Sequence, residues 1–277
     1  MTYEIINDER MIAGSGERNP SAEKGTSMDK NIGDGQTMRP PVGSRVPRDR
    51  PGGPRPVAAV KGIQLWEGGP YWADRNIGAE SPEDYGYYFW WGDTIGYKRV
   101  NEAWVASDGS SEKRFRILWT TVLFWTTARR FSEKNTPTYK KSQSQLRTEG
   151  WITASGVLAP EHDAAHVQWG GRWRMPTNRE LDDLSSRCDW KWTTVNGVNG
   201  YVIRGRYNYD SASIFLPCAG YGGGSSLYYS GSYGNYWSSV PSSGGSYYTR
   251  GLGFYSGCRS NGRYYGRSVR PVQGFTK

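Results

Sequence analysis

Three cysteines and two histidines are the residues of this 277-residue chain best suited to catalysis or metal binding. Cys188, Cys218 and Cys258 are widely spaced, so no Cys-x-x-Cys pair is present to bind zinc or to act as a redox pair. His162 and His166 have the spacing that places two imidazoles on one helix face, but only Asp-Ala-Ala lies between them and no further ligand follows nearby. We predict surface or capping histidines, no metal site, and buried reduced thiols at Cys188 and Cys218, with a disulfide as the alternative.

Acidic residues and glycine-rich loops offer no catalytic pattern either. Asp182 and Asp183 imitate a carboxylate pair, but neighbouring helix positions point in different directions, so a solvated helix face is the better interpretation. The run "YGGGSS" at 221–226 lacks the lysine and the following helix of a phosphate-binding loop. No Asp or Glu follows Asp210, so the C-terminal region has no cluster of carboxylates for calcium. We predict that the protein is not an enzyme and carries no cofactor.

Residues 220–266 have the composition of a binding surface. This stretch contains ten Tyr, eleven Ser and thirteen Gly in 47 residues. Tyrosine supplies rigid contact area at low entropic cost, and Ser and Gly supply adaptable hydrogen bonding, as in antibody paratopes. Arginines add side chains that often dominate binding energy. The predicted ligand-binding residues are Tyr228, Tyr229, Tyr247, Tyr248, Arg250, Tyr255, Ser256, Arg259, Ser260, Asn261, Arg263, Tyr264 and Tyr265. The alternative is a β-rich segment whose tyrosines fill cross-strand positions.

Charge and hydropathy narrow the choice of partners. The formal net charge of +9 raises nucleic acid as a partner, but six of the basic residues lie in or beside a proline-rich stretch and the others are scattered. We therefore predict a solvated basic linker and no nucleic-acid partner. No stretch approaches the ~20 apolar residues of a membrane span, and "MTYEIINDERMIAG" lacks the features of a signal peptide. We expect no membrane insertion, and a location on a virion or at the cell surface without a conventional signal peptide.

Composition divides the chain into two parts. Residues 1–56 include "RPPVGSRVPRDRPGGPRPV", whose prolines favour extended backbone, so we predict a flexible Pro/Arg-rich N-terminal segment. Residues 57–277 carry the strand, helix and turn signals of a folded domain. The aromatic share of 14% indicates a core built largely from rings, with residues 85–91 as its densest contribution. Residues 114–131 are ambiguous between an insertion packed on the core and a basic, aromatic nucleic-acid patch.

Local signals place the elements of the folded part. Thr177 and Glu180 have the spacing of a capping box at the start of a helix whose buried side is formed by leucines. A shorter helix is predicted after Pro160, ending at Gly170-Gly171. Two Asn-Gly pairs within residues 196–200 indicate a β-hairpin, and "SIFLPCAGYG" predicts a buried strand.

Seven stretches together resemble a known family. They are "WADRNIGAESPEDYGYYFWWGD" (72–93), "DAAHVQWGGRWRMPTNREL" (163–181), "CDWKWT" (188–193), "NGVNGYVI" (196–203), "SIFLPCAGY" (213–221), "GNYWSS" (234–239) and "RSVRPV" (267–272). In this order the chain resembles C-type-lectin-like domains of the Bacteroidetes and Fibrobacter major paralogous type. These share their fold with formylglycine-generating enzymes and with variable proteins of diversity-generating retroelements. The resemblance implies an α+β, loop-rich fold with small antiparallel sheets and two short helices, whose first and last strands pair and bring residues 57–63 near 269–272.

The resemblance also implies a function. In retroelement variable proteins, adenine-directed changes alter a C-terminal surface between fixed core residues, and the predicted ligand-binding residues suit that location. We expect a ligand-binding or receptor-binding protein with a hypervariable surface, such as a bacteriophage protein that binds a protein or glycan receptor on a target cell; homo-oligomerisation stays open. The alternatives are an undiversified adhesion module and a formylglycine-generating-like enzyme. The closely spaced cysteines of those enzymes are absent, and the calcium motif of lectins is replaced by Trp237-Ser238-Ser239.

Overall fold

Short strands and helices joined by many loops form the described part of this computed structural model, which covers residues 59–110, 131–254 and 257–274, with backbone only at 257–260. In that part, thirteen strands form five antiparallel sheets beside three α-helices. The helices are α1 (Gln143–Thr148), α2 (Ala164–Trp169) and α3 (Asn178–Arg187). The predicted α+β, loop-rich class is confirmed at this coarse level, with one helix more than expected.

In chain order, the strands are β1 (Gly62–Gln64), β2 (Tyr71–Ala73), β3 (Tyr97–Val100), β4 (Ala103–Ala106), β5 (Asp189–Val195), β6 (Val198–Arg204), β7 (Ser213–Pro217), β8 (Tyr221–Gly223), β9 (Ser226–Tyr228), β10 (Asn235–Pro241), β11 (Tyr248–Gly253), β12 (Gly257–Gly262) and β13 (Val272–Gln273). The sheets have the orders β1-β2-β13, β3-β4, β5-β6-β7, β8-β9 and β10-β11-β12. Short 3-10 turns occupy Glu133–Asn135, Pro160–His162 and Tyr207–Tyr209.

The first and last strands do not pair with each other, in contrast to the expectation from the resemblance. Both pair with β2, so that Ile63 and Val272 lie on opposite sides of Trp72. The physical reason is the burial of β2, whose Trp72 is completely inaccessible to solvent. A buried strand must satisfy its backbone groups along both edges, and here β1 and β13 each satisfy one edge. Residues 57 and 58 lie outside the described residues.

The β5–β6 hairpin and its turn are as predicted. Asn196 and Gly197 form the connection with φ values of +47° and +80°, the positive values that a tight type I′ hairpin turn requires. The second Asn-Gly pair lies inside β6, where Gly200 faces the Phe215 ring closely instead of forming a turn. The predicted buried strand is β7, whose Ile214, Phe215 and Leu216 are all buried.

The predicted capping box is present at the start of α3. The Thr177 hydroxyl accepts from the Glu180 backbone N–H, while the Glu180 carboxylate accepts from the Thr177 N–H. Leu181 and Leu184 are buried, and the helix packs against β10, β11 and β12. The helix after Pro160 is α2, which Asp163 caps and Gly170 ends. These contacts fix one face of the sheet that carries part of the candidate site.

Aromatic rings form much of the core beneath that sheet. Phe89, Trp90 and Trp91 are buried, as predicted for the aromatic run, whereas Tyr85 and Tyr87 are only partly buried. The indole N–H of Trp237 on β10 donates to the Phe89 carbonyl at 2.8 Å. This hydrogen bond connects β10 to the aromatic run at residues 85–91 and restrains the backbone of the sheet that carries part of the candidate site.

Two regions with predictions from the sequence lie wholly or mostly outside the described residues. The predicted flexible segment, residues 1–56, lies outside the described residues. Most of residues 114–131 also lies outside them, although Phe131 is buried against Trp90 and Trp104. As for membrane insertion, no helix among the described residues has the length and apolar character needed to cross a bilayer.

A candidate binding surface of tyrosine rings

Eight tyrosine rings contact one another in an unbroken series, seven of them from residues 221–265 and one, Tyr139, from an earlier loop. Neighbouring ring centroids lie between 4.3 Å apart, for Tyr264 and Tyr265, and 6.4 Å apart, for Tyr247 and Tyr248. We call this set the tyrosine surface; its members are Tyr139, Tyr221, Tyr228, Tyr229, Tyr247, Tyr248, Tyr264 and Tyr265. Six of the eight belong to the predicted ligand-binding residues, which the fold therefore brings together.

Exposure is highest at the two ends of the series. Tyr229 and Tyr228 are 63% and 46% exposed, and at the other end Tyr248 and Tyr247 are 45% and 41% exposed. The rings between these ends, those of Tyr139, Tyr221, Tyr264 and Tyr265, are half-buried because they pack edge-on or tilted against their neighbours. The arrangement thus combines exposed rings with a packed middle.

Strand pairing and glycine set the positions of these rings. Tyr221 and Tyr228 are directly opposite in the β8–β9 pair, which places both rings on one face with centroids 5.5 Å apart. On β11, Tyr248 is opposite Gly262 of β12. A Cβ at Gly262 would lie 2.6 Å from the Tyr264 ring, so glycine leaves room for that ring. The mixed Tyr and Gly composition therefore has a packing reason.

Tyr139 connects the Tyr247 ring to the Tyr264 ring. It was not among the ligand-binding residues predicted from the sequence. Its ring lies 5.8 Å from Tyr264 and 5.2 Å from Tyr247, although it comes from a loop about a hundred residues earlier in the chain. Tyr221 was also missed. The only local signal for Tyr139 is an aromatic residue within a polar loop, next to Lys140 and Lys141. Its contact with the C-terminal rings depends on tertiary structure.

Arg263 lies beneath the tyrosine surface, not on it. Its side chain is completely buried and donates through Nη1 to the Thr138 and Lys141 carbonyls, both at 2.9 Å, and through Nε to the Tyr248 carbonyl at 3.0 Å. Burial lowers the pKa of Arg263 to about 10. The sequence-based prediction that Arg263 contacts ligand does not fit this burial. Arg263 instead joins the Tyr139 loop to β11.

The other predicted ligand-binding residues differ in how much of them the structure describes. Arg250 on β11 is half-buried, and Asn261 accepts a hydrogen bond from Arg267 at 2.8 Å. Arg259 and Ser260 lie in β12, opposite Gly251 and Arg250, with side chains outside the described part. Tyr255 and Ser256 lie outside the described residues.

The hydroxyls of Tyr139 and Tyr264 stay protonated at neutral pH. Burial of the ring and a hydrogen bond to Glu133 raise the pKa of Tyr139 to about 12. A hydrogen bond with Tyr265 and burial raise the pKa of Tyr264 well above its usual value. Protonated hydroxyls both donate and accept hydrogen bonds. The exposed ammonium of Lys140, 5.6 Å from the Tyr139 ring centroid, adds positive charge beside them.

Cys188, Cys218 and His162 pack against neighbouring residues of the fold. Cys188 and Cys218 are buried free thiols, as predicted, and burial raises the pKa of each to about 11. His162 stacks on Trp151 with centroids 4.0 Å apart, and burial lowers its pKa. Within the described ranges, no three His, Cys, Asp or Glu side chains come together as a potential metal site.

Two concave regions of the described surface have linings that include none of these eight tyrosines. One, of about 590 Å³, is lined by Trp173, Met175 and neighbouring residues of the α2–α3 region. The other, of about 450 Å³, lies among Trp66, Arg206 and Tyr207. The first lining includes His166, Asp163 and Ser239, but the Asp163 carboxylate caps α2 by accepting from the backbone N–H groups of Ala165 and His166. We therefore take the tyrosine surface, whose residue types match those of known binding surfaces, as the candidate site.

Fold and site together define an α+β protein with a surface of partly exposed aromatic rings. Comparisons of the chain with models of protein families, with curated proteins and with solved structures gave no match. A function can therefore be inferred only from the geometry of the tyrosine surface and of the residues that support it.

Proposed function

We propose that the tyrosine surface binds a macromolecular partner, a protein or glycan receptor. The observation that carries this proposal is the unbroken contact series of eight rings, four of them more than 40% exposed. Aromatic side chains bury ~150–250 Å² each when fully covered. Eight partly exposed rings can therefore supply a large share of the ~800 Å² that each partner contributes to a standard interface.

The rigidity of the supporting structure favours tight binding. A tyrosine side chain has few rotatable bonds, so little conformational entropy is lost when a partner covers it. Neighbouring rings restrain the half-buried members further, and Arg263 joins the Tyr139 loop to β11 through two hydrogen bonds to the loop and one to the Tyr248 carbonyl. A preorganised surface loses less free energy on association than one that must order itself.

We further propose that the chain is a C-type-lectin-like variable protein of a diversity-generating retroelement, displayed on a bacteriophage or a cell surface. The separation of buried anchors from exposed rings supports this. Trp237, Leu252, Phe254 and Val269 are almost completely buried, and the exposed tyrosines lie between them in sequence or before them. Residues can change at such exposed positions without changes in the core.

Binding can be tested with two matched triple variants. In the first, Tyr228, Tyr229 and Tyr248 are changed to Ala; in the second, Tyr71, Trp192 and Tyr207, which are also exposed, are changed to Ala. Labelled protein is applied to a panel of bacterial cells and to a glycan array. We expect at least about tenfold weaker binding for the first variant and little change for the second. Equal losses in both, or a lost fold in the first by circular dichroism, would contradict the proposal.

Diversification has a separate test in the surrounding DNA. A retroelement requires a near-copy of the codons for about residues 221–270, differing at adenines, beside a reverse-transcriptase gene. Finding that template supports the variable-protein proposal. Its absence from a completely sequenced locus leaves the undiversified adhesion module as the function of the same surface.

A further inference from the structure

Three arginines in the C-terminal part are buried and form no ion pair with any described residue. Arg263, Arg267 and Arg270 are each at most 5% exposed, and none forms a salt bridge within the part of the chain that the structure describes. Burial without an anion disfavours the charged form, and it lowers the pKa of each to about 10. All three are still cations at neutral pH, so their hydrogen-bond partners matter.

Two of the three have hydrogen bonds from several nitrogens. Arg270 donates from Nε to Asn76 Oδ1, from Nη1 to the Ala73 carbonyl and from Nη2 to the Phe215 carbonyl, at 2.8–3.1 Å. Arg263 donates to three carbonyls, as described above. These neutral acceptors replace much of the hydration that a buried guanidinium loses.

Arg267 has the fewest acceptors of the three. Its Nη2 donates to Asn261 Oδ1 at 2.8 Å, but Nε and Nη1 are buried with no hydrogen-bond partner among the described residues, compared with one such nitrogen, Nη2, in Arg263. The guanidinium lies 4.7 Å from the Trp237 ring and 5.9 Å from the Tyr221 ring. Ring faces attract the cation but accept none of its in-plane N–H groups well, so two strong donors stay without an acceptor.

Among the described residues, no carboxylate forms an ion pair with Arg267. No Asp or Glu follows Asp210 in the sequence, and the ionisable groups that interact electrostatically with Arg267 are Tyr221, Tyr233 and Tyr265. All three of these tyrosines are partly exposed, and Tyr221 and Tyr265 are members of the tyrosine surface. Arg267 therefore lies just beneath the proposed binding surface.

We propose that Arg267 binds a carboxylate group that the partner inserts beside the Tyr221 and Tyr265 rings. The carboxylate comes from an Asp or Glu side chain of a protein partner, because rigid tyrosine surfaces of this composition are typical of protein recognition. A carboxylate accepts charge-assisted hydrogen bonds from a guanidinium, which are shorter and stronger than those between neutral groups. The inference rests on the proposed function, since it assigns chemistry to the same surface.

Formate is a sufficient probe for this site, since it is the smallest carboxylate. It is added to ¹⁵N-labelled protein at constant ionic strength, while the Nε–H resonances of the arginines are followed by NMR. We expect a saturable shift of the Arg267 resonance and none for Arg270, whose donors already have acceptors. An unmoved Arg267 resonance would overturn the proposal, and so would an equal saturable shift with chloride.

Variants identify the residue and the source of the carboxylate. Arg267→Gln should weaken formate binding by about tenfold or more, whereas Arg204→Gln, an exposed arginine on β6, should not. If Arg267→Gln does not fold, the titration of the unmodified protein decides alone. Tighter binding of N-acetylglutamate methylamide than of glucuronate is expected; the reverse order would overturn the assignment to a protein partner.

The two proposals can fail separately. The formate titration needs no partner, so a saturable Arg267 shift with unimpaired cell binding by the tyrosine variant would refute the proposed function and retain the carboxylate site. Loss of cell binding in that variant without any formate shift would refute only the carboxylate site.

Discussion

Gly220 holds a left-handed backbone conformation, with φ of +65°, directly before β8. A Cβ there would meet backbone atoms of Tyr228 and Ser230, neither of which can move without displacing the strand that carries Tyr228. Gly224 has a similar φ of +57°, but a Cβ there would meet no atom within 4 Å. A comparison of alanine variants at the two positions therefore distinguishes the cost of backbone strain, which both share, from the cost of steric overlap, which only position 220 has.

We expect Gly220→Ala to be more destabilising than Gly224→Ala. The left-handed conformation costs a non-glycine residue ~1–2 kcal/mol at either position. Overlap with fixed backbone adds about 2 kcal/mol or more at position 220. Urea denaturation of both variants measures the difference. Equal free energies of unfolding would mean that the β8–β9 hairpin adjusts freely, in which case it does not fix the Tyr228 ring.

Cys188 and Cys218 allow a second prediction at the residue scale. Because burial raises the pKa of both thiols to about 11, we expect almost no thiolate at neutral pH. In a Cys258→Ser variant, a thiol-specific disulfide reagent should therefore react slowly with the native protein and rapidly after unfolding in urea. Fast reaction of the native protein would instead indicate an activated cysteine and would favour the enzyme alternative.

At the scale of elements, Arg263 joins the loop of residues 138–141 to β11. We expect Arg263→Leu to leave the Thr138 and Lys141 carbonyls without their donor. Exchange of backbone amides in this loop should then accelerate by about tenfold or more in hydrogen–deuterium exchange, because local opening becomes easier. Amides of the β5–β6 hairpin should exchange as before. Unchanged protection of the loop would contradict the supporting role of Arg263.

Elements governed by local interactions could be predicted from the sequence. The capping box of Thr177 and Glu180 and the Asn196-Gly197 turn depend on residues within four positions of one another, so their residue types are informative. The central position of β2 and the contact of Tyr139 with the C-terminal rings depend on residues far apart in the chain. Arg263 was misplaced because the sequence does not show which carbonyls surround a side chain.

At the scale of the whole molecule, the proposed function gives the core and the tyrosine surface separate tasks. Aromatic anchors such as Trp237 and Phe254 are buried beneath the C-terminal strands, whereas Tyr228, Tyr229 and Tyr248 are exposed. The free energy of folding depends chiefly on buried apolar area, and binding depends on exposed area. A protein divided in this way can change its partner specificity with little loss of stability.

Two combinatorial libraries test that division. One randomises Tyr228, Tyr229, Tyr247 and Tyr248, and the other randomises Trp237, Leu252, Phe254 and Val269. Replacing a large buried side chain by a small one costs ~3–5 kcal/mol, a large fraction of the ~5–15 kcal/mol by which folded domains are stable, and several such changes together exceed it. We therefore expect most members of the surface library to resist protease when displayed on yeast, and few members of the core library. If both libraries lose protease resistance to the same extent, the exposed tyrosines are part of the folding core, and a surface free to vary among partners is excluded.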